Sequence, residues 1–334
     1  MQTFEWVDAR TVREAASFLT AAGLSGPAVA KAGGVDLVDL LKEGIVRPSR
    51  VVNLKTIPGL DGIALDRSGA LSLGAMVTLA HIESAPGIQR SFPALAAAAR
   101  HAATPQVRNA ATIGGNLLQR PRCWYFRSAH FYDEGGDPTS LALEGQNQYH
   151  AIFDNASSAM VHASTPATAL IAYGAEVTLE GADGQPRTVR LADFLLPPDA
   201  RRSHDADILP GEILTAVNVP APQPGTRSSY HKQTERESYD WPICDVAVSL
   251  AFDGERVREA TIVLGWVAPT PRLALESAKI LIGNSVTEES ARAAATAAVA
   301  GATPLSRNAY KIPVLETVIR RTILAAAAAR GDAS

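Results

Sequence analysis

The sequence predicts an α+β protein in three parts, and three stretches carry that reading. A short apolar strand at 28–32 runs into the glycine pair Gly33-Gly34 and then into a helix at 36–42, which together make a small α/β unit. From residue 60 the texture changes to hairpins, followed by an alanine-rich helix at 93–103 and a second small-residue turn, Ala111-Thr112-Ile113-Gly114-Gly115-Asn116. Beyond a proline-bearing linker at 222–225, strands at 246–252 and 260–265 precede helices at 273–281, 288–300 and 309–329. A chain of 334 residues exceeds one compact core, and these changes divide it at 1–55, 56–221 and 222–334.

Each element has a local reason. Val12, Ala15, Ala16 and Leu19 recur at helical spacing, so 11–22 reads as a helix with Gly23 in the position of a C-terminal cap. The helix at 36–42 ends at Gly44, and 51–54 is the next strand. Residues 62–66 and 70–77 alternate around the turn Arg67-Ser68-Gly69, and 78–84 begins a helix. Residues 117–165 read as one long irregular stretch with Glu134-Gly135-Gly136-Asp137-Pro138 in its middle, and such loops are usually functional or inserted. A helix at 167–172, a hairpin of 175–179 with 188–190 around Asp183-Gly184, and a strand at 211–220 complete the middle part.

Composition removes several function classes. A formal charge of −3 and a pI of about 6.2 leave no basic stripe for nucleic acid. No apolar run reaches the roughly 20 residues of a membrane span. The start, MQTFEWVDAR, shows no charged leader with an apolar core, which favours the cytoplasm. With only Cys123 and Cys244, neither in a Cys-x-x-Cys pair, a disulfide framework or a metal site made by this chain alone is not expected. The seven histidines show no zinc-type spacing. The cluster Arg120, Arg122 and Arg127 reads either as a solvated loop or as a partner or cofactor surface.

The two glycine turns are where chemistry enters. Positions without a Cβ let backbone amides approach an anion closely, and two such cradles suit a diphosphate. The Rossmann fingerprint, a Walker loop and a nucleophile elbow are all absent.

With these turns the chain resembles the flavoprotein subunit of the molybdenum hydroxylases, the group containing xanthine dehydrogenase, carbon monoxide dehydrogenase and 4-hydroxybenzoyl-CoA reductase. The landmarks are AGGVDL at 32–37, VRNAATIGGNL at 107–117, LPGEIL at 209–214, HKQTERESYDWP at 231–242 and VAPTPR at 267–272. Through QRPRCWYFR and RESYDWP it is most similar to the branch of periplasmic aromatic-aldehyde oxidoreductases. The resemblance implies a two-subdomain FAD-binding module of the PCMH type, then a C-terminal α+β domain of the carbon monoxide dehydrogenase flavoprotein type. It also implies partners: a large molybdenum-cofactor subunit that oxidises the substrate and a small [2Fe–2S] subunit. FAD on this chain would pass the electrons to an external acceptor. That branch further implies export as an assembled complex, so cytoplasm and periplasm both stand.

The flavin contacts the resemblance implies are Lys31, Ala32, Gly33, Gly34, Val35, Asp36 and Leu37 in the first turn, and Ala111, Thr112, Gly114, Gly115 and Asn116 in the second. Gln119, Arg122, Cys123, Tyr125, Leu214 and Lys232 complete the set. Thr112 and Asn116 would donate to the pyrophosphate without adding charge. Asp36 would cap the helix that follows or bond ribose hydroxyls. Lys232 is either a surface lysine on a strand or a cation at the flavin edge that raises its potential, and Leu214 suits a pocket wall as well as strand core.

In the same branch the counterpart of Cys123 is one of four ligands to a [4Fe–4S] cluster. Here the other positions fall near Asp133, Ser140 and Ala159, and the expected HPSD is His162-Ala163-Ser164-Thr165. One thiolate cannot hold a cubane, so no cluster is expected, and the loop is expected to keep its shape by packing Trp124, Tyr125, Phe126 and Phe131. Trp266 stands where the family has a small residue, and it would reshape either the flavin mouth or an interface. The loop at 120–131 and the last helix are candidate interfaces. The rival readings are a self-contained oxidase of the vanillyl-alcohol oxidase type, for which the part after Pro222 is small, and a flavin-free scaffold.

Overall fold

Three sheets organise the computed structural model, which describes residues 2–21, 26–133, 137–237 and 239–329. The cap expected at Gly23 and the glycines at 135–136 lie outside the described residues. The first sheet is parallel, in the order β1 (Glu5–Asp8), β3 (Arg50–Asn53), β2 (Ala28–Lys31). Parallel neighbours need crossovers, here the helices Val12–Thr20 and Val35–Lys42. Thr11 caps the former by accepting from the Glu14 amide, and Ala15 and Ala16 are its buried face.

The second sheet is antiparallel, with β4 (Ile63–Leu65) and β5 (Leu71–Gly74) joined through β8 (Ile213–Val219) to β6 (Glu176–Glu180) and β7 (Pro186–Arg190). Its inner face, Leu71, Leu73, Val177, Leu179, Val217 and Val219, packs in one core with the helix Pro93–Arg100 and with Thr165–Ala172, whose eight residues are all buried. That core also takes Tyr230, Ala247 and Val263 from the third sheet, so the two sheets share one hydrophobic interior. Phe92 meets Tyr173 edge-on at 5.2 Å, and the Tyr173 hydroxyl accepts from the Ala94 amide.

The third sheet runs β9 (Thr226–Thr234), β10 (Pro242–Asp253), β11 (Arg256–Gly265) and β12 (Arg272–Leu273), all antiparallel. The sequence bounds only two of these strands and places Lys232 on a strand without limits. The extent of β9 escaped because its residues, TRSSYHKQT, are polar on both faces: Ser228 and Tyr230 point to the shared core, and Arg227 reaches the last helix, where it donates to the Ala327 carbonyl.

Two further expectations change. The stretch 117–165 is not wholly irregular: it holds the helices Ala129–Asp133 and Pro138–Glu144, the second capped by Asp137 accepting from the Thr139 amide. The last helix, Lys311–Ala328, is core rather than a free apolar face, since Leu315, Val318, Ile319, Ile323 and Ala326 are buried against the third sheet.

Lys311 opens that helix fully buried. Its ammonium donates to the carbonyls of Tyr149 at 3.2 Å, His150 at 3.1 Å and Trp266 at 2.7 Å, tying helix, loop and sheet edge together. Burial pushes the lysine down to about 7. Lys311→Met should remove these donors and leave buried carbonyls short of partners, lowering unfolding stability by on the order of 3 kcal/mol in urea titration. A loss within error would show that water takes the place of the ammonium.

Candidate functional site

A cleft of about 1060 Å³ opens where the first sheet, the second sheet and the end of β9 meet. It lies at the upper end of small-molecule sites, roughly 300–1,000 Å³, and suits a long ligand. Of the expected contacts, Ala32, Gly33, Gly34, Val35, Asp36, Leu37, Ala111, Thr112, Gly114, Gly115, Asn116, Gln119, Arg122, Leu214 and Lys232 line it. Lys31, Cys123 and Tyr125 do not line the cleft.

The turns touch backbone to backbone. A Cβ on Gly33 would lie 2.1 Å from the Ala110 carbonyl oxygen, so only glycine allows this approach. Gly34 sits at φ +83° and starts the helix Val35–Lys42 with no side-chain cap, which leaves the donor capacity of the first-turn amides at the cleft wall.

The second turn works differently from the amide cradle expected of it. Its amides are used within the protein: Ile113 to the Val77 carbonyl, Gly114 to Ala75, Asn116 to Thr112, and Gly115 to the Thr112 hydroxyl oxygen at 3.2 Å. Gly114 is a glycine because a Cβ there would lie 2.9 Å from Ala75 Cβ. What this turn presents is side chains. Thr112 Oγ1 accepts from Gly115 and keeps its own proton to donate, and Asn116 Oδ1 accepts from Ser164 Oγ at 2.6 Å, leaving Nδ2 as a donor.

Asp36 neither caps its helix nor stands free for a ribose. Its Oδ2 accepts from the Arg120 amide at 2.9 Å, and its Oδ1 accepts from Arg127 at 2.6 Å and pairs with Arg122 at 3.0 Å. Arg127 also holds Asp39 at 2.9 Å, and Arg120 pairs with the buried Asp205 at 3.2 Å. The arginine cluster is therefore an internal clasp, not a solvated loop. Gln119 extends it, donating to the Asn116 carbonyl at 2.8 Å and accepting from Arg122.

The Lys31 stem packs beside Gly34, with its ammonium 5.3 Å from the centre of the Trp6 ring. Cys123 is buried with Sγ 3.1 Å from His150 Nε2, and burial pushes the thiol up to about 11 and His150 down to about 4. The Tyr125 hydroxyl accepts from the Gln146 amide, and its ring meets Phe131 at 5.1 Å. Both residues shape the loop, with Phe126 and Ala159 in the same cluster. Among the described residues no group of three or more His, Cys, Asp or Glu side chains could hold a metal ion.

Leu214 is buried in the second-sheet core and lines the cleft as well. Lys232 is half-buried on β9, donates to the His101 carbonyl at 2.8 Å, and is lowered by burial. Trp266, at φ +61°, stacks on Trp241 with ring centres 5.5 Å apart; Trp241 lines the cleft beneath Arg122, so the indole supports the cleft mouth. The sequence reading missed the segment 200–204 as a cleft wall. Its polar, proline-flanked composition carried no signal of that place.

A small parallel α/β unit and an antiparallel sheet, butted at two glycine turns over a long cleft, define a dinucleotide-holding module with an appended α+β part. Comparison with known proteins shows which one. Residues 2–222 match the FAD binding domain in molybdopterin dehydrogenase, and residues 229–326 match the CO dehydrogenase flavoprotein C-terminal domain. The chain belongs to this family of oxidoreductase flavoprotein subunits. It is 32% identical to the aldehyde oxidoreductase FAD-binding subunit PaoB of Escherichia coli (strain K12), over 93% of this chain and 94% of that one. It is 30% identical to the carbon monoxide dehydrogenase medium chain of Hydrogenophaga pseudoflava, covering 97% and 96%. The fold matches the solved carbon monoxide dehydrogenase from that organism, which lacks the Mo-pyranopterin moiety of the molybdenum cofactor, with a TM-score of 0.75 and 28% identity over 97% of each chain.

His162 lies behind the second turn, fully enclosed. Its Nδ1 accepts from the Ser164 amide and its Nε2 meets the Leu117 carbonyl at 3.2 Å, which suits the neutral ring, and burial pushes it down to about 4. The unfolded ring titrates near 6.5, so between about 6.5 and 4 the unfolded chain binds the extra proton and stability falls as pH falls. His162→Gln should flatten the melting temperature over that window relative to the parent chain. An unchanged slope would assign the acid loss to other groups.

Proposed function

We propose that this chain holds FAD in the cleft and serves as the electron-transfer flavoprotein subunit of a molybdenum-containing hydroxylase or dehydrogenase. The observation that carries this is the shared wall: both glycine turns, Leu214 and Lys232 line one cleft. FAD, when bound, supplies reversible uptake and release of electrons. The chain's own residues bind and orient. Amides at the uncapped start of Val35–Lys42, with the helix dipole, answer the diphosphate charge, and Thr112 Oγ1 and Asn116 Nδ2 donate from the second turn. Gly115 leaves room beside Ala32, and Leu214 gives an apolar wall. Lys232 places an ammonium in the wall, where positive charge favours the reduced ring and raises its potential.

Substrate oxidation belongs, on this reading, to a large subunit with the molybdenum cofactor. Electrons arrive from [2Fe–2S] clusters on a small subunit and leave to an external acceptor. Supporting this division, the only cysteines here, Cys123 and Cys244, are both buried and pushed up by burial, the latter to about 12. Relatives named as an FAD-binding subunit and as medium chains support the same assignment. No helix among the described residues is long and apolar enough to cross a membrane. The complex works in the cytoplasm, or in the periplasm after export as an assembly.

The purified chain should release equimolar FAD on denaturation and contain no intrinsic iron. A Cβ at position 115 would lie 3.1 Å from Thr112 Oγ1, which must give slightly, and 3.5 Å from Ala32 Cβ, so Gly115→Val should still fold, at a lowered melting temperature, yet lose FAD, because its branched side chain fills the cleft. Cys123→Ser should leave the flavin spectrum intact at about 1 kcal/mol of stability. Absence of released flavin would favour a scaffold, and stoichiometric iron would reveal an unrecognised ligand set.

A further inference from the structure

Behind Lys232 lies a charged group that the site as described does not use. Asp245 stands directly opposite Lys232 in the antiparallel pair of β9 and β10, and residues so paired project to the same face. Asp245 is fully buried, and its two oxygens accept from Thr168 Oγ1 at 2.9 Å and from the Tyr230 hydroxyl at 2.8 Å. The fold reserves space for this carboxyl: a Cβ on Gly265 would lie 1.8 Å from Asp245 Oδ1 and 2.3 Å from Thr168 Oγ1. Among the described residues no ion pair of Asp245 is found within contact distance, and the cation whose charge acts on it is the lysine across the strand. A buried carboxyl kept at the expense of a side chain at 265 calls for a role beyond packing.

We propose that Asp245 is a positioning residue that keeps the Lys232 ammonium charged in the cleft wall, acting from the neighbouring strand without touching the ligand. The significance for electron transfer rests on the reading that Lys232 faces bound FAD; the coupling itself does not. The groups around the pair are few. Tyr230 shares β9, Thr168 comes from the helix Thr165–Ala172, and Cys244 precedes the carboxyl on β10. His101, whose carbonyl accepts from the lysine, and Arg108 also act on it, with Asp240 at the cleft. Burial drives Lys232 toward neutrality, and Asp245 opposes that more than Asp240 does. Burial in turn pushes Asp245 up to about 7, against Tyr230, Thr168 and Lys232. The carboxylate is therefore progressively ionised as pH rises through about 7.

The test is carried out on the full chain with Asp245→Asn, which keeps the side-chain size, and Lys232→Met. Acylation of Lys232 by acetic anhydride, mapped by mass spectrometry across pH, reads the lysine's proton affinity. In Asp245→Asn the profile should move to lower pH by about one unit, a tenfold loss of proton affinity. Coupling is reciprocal, so Lys232→Met should move the Asp245 carboxyl titration, followed by carbon NMR, above its parent value. This second arm needs no folded Asp245 variant. In the flavin-loaded chain, the alkaline break in the midpoint potential should shift down in Asp245→Asn and vanish in Lys232→Met. Unmoved lysine and carboxyl titrations would overturn the proposal and leave Asp245 a packing group. Shifted titrations with no lysine break in the potential would uphold the coupling and overturn the placement of Lys232 beside the flavin.

Discussion

The Asp36 carboxylate, accepting from the Arg120 amide and from both Arg122 and Arg127, is the interaction on which the cleft depends. It sits in the first turn of the helix that follows one glycine turn, and all its partners lie on the segment that follows the other. Charge-assisted bonds of this kind are worth about 1.5–3 kcal/mol each, and here they close the distance between two units that share no strand pairing. Once they are drawn together, Gly33 can meet Ala110 and the two turns become one wall. A carboxylate beside an anion site would repel the ligand, but this one is paired with arginines, so its charge is neutralised before any ligand arrives.

This clasp also explains why the turns differ. The first keeps free helix amides because nothing caps Val35–Lys42. The second has its amides tied to Ala75, Val77 and Thr112, which holds it rigidly to the second sheet, and it offers a hydroxyl and a carboxamide instead. Amide donors and side-chain donors thus approach from opposite sides. The third sheet adds the remaining piece through β9, whose Lys232 reaches the wall although most of that sheet packs against its own helices.

The legible part of this protein was what local chemistry encodes. Glycine turns, the helix at Val12–Thr20 and the hairpin at Gly184 follow from residue type and period, whereas the Thr11 cap of that helix was not read. The extent of strand β9 was illegible beyond Lys232 because both its faces carry polar residues that tertiary partners satisfy, Tyr230 by Asp245 and Arg227 by Ala327. The arginines were open to two readings because their carboxylates lie more than eighty residues away in sequence, at Asp36, or on the far loop at Asp205. Gly265 showed nothing at all in the sequence, since its reason is a carboxyl on the next strand.

The central claim is that two turns jointly grip a diphosphate, and fragments of the cofactor test it most directly. Flavin-stripped chain titrated with FAD, ADP and riboflavin should bind FAD most tightly and ADP measurably, while riboflavin, which has no phosphate for the turns to hold, binds far more weakly. Riboflavin binding as tightly as FAD, with ADP silent, would contradict the account and place the grip on the ring alone.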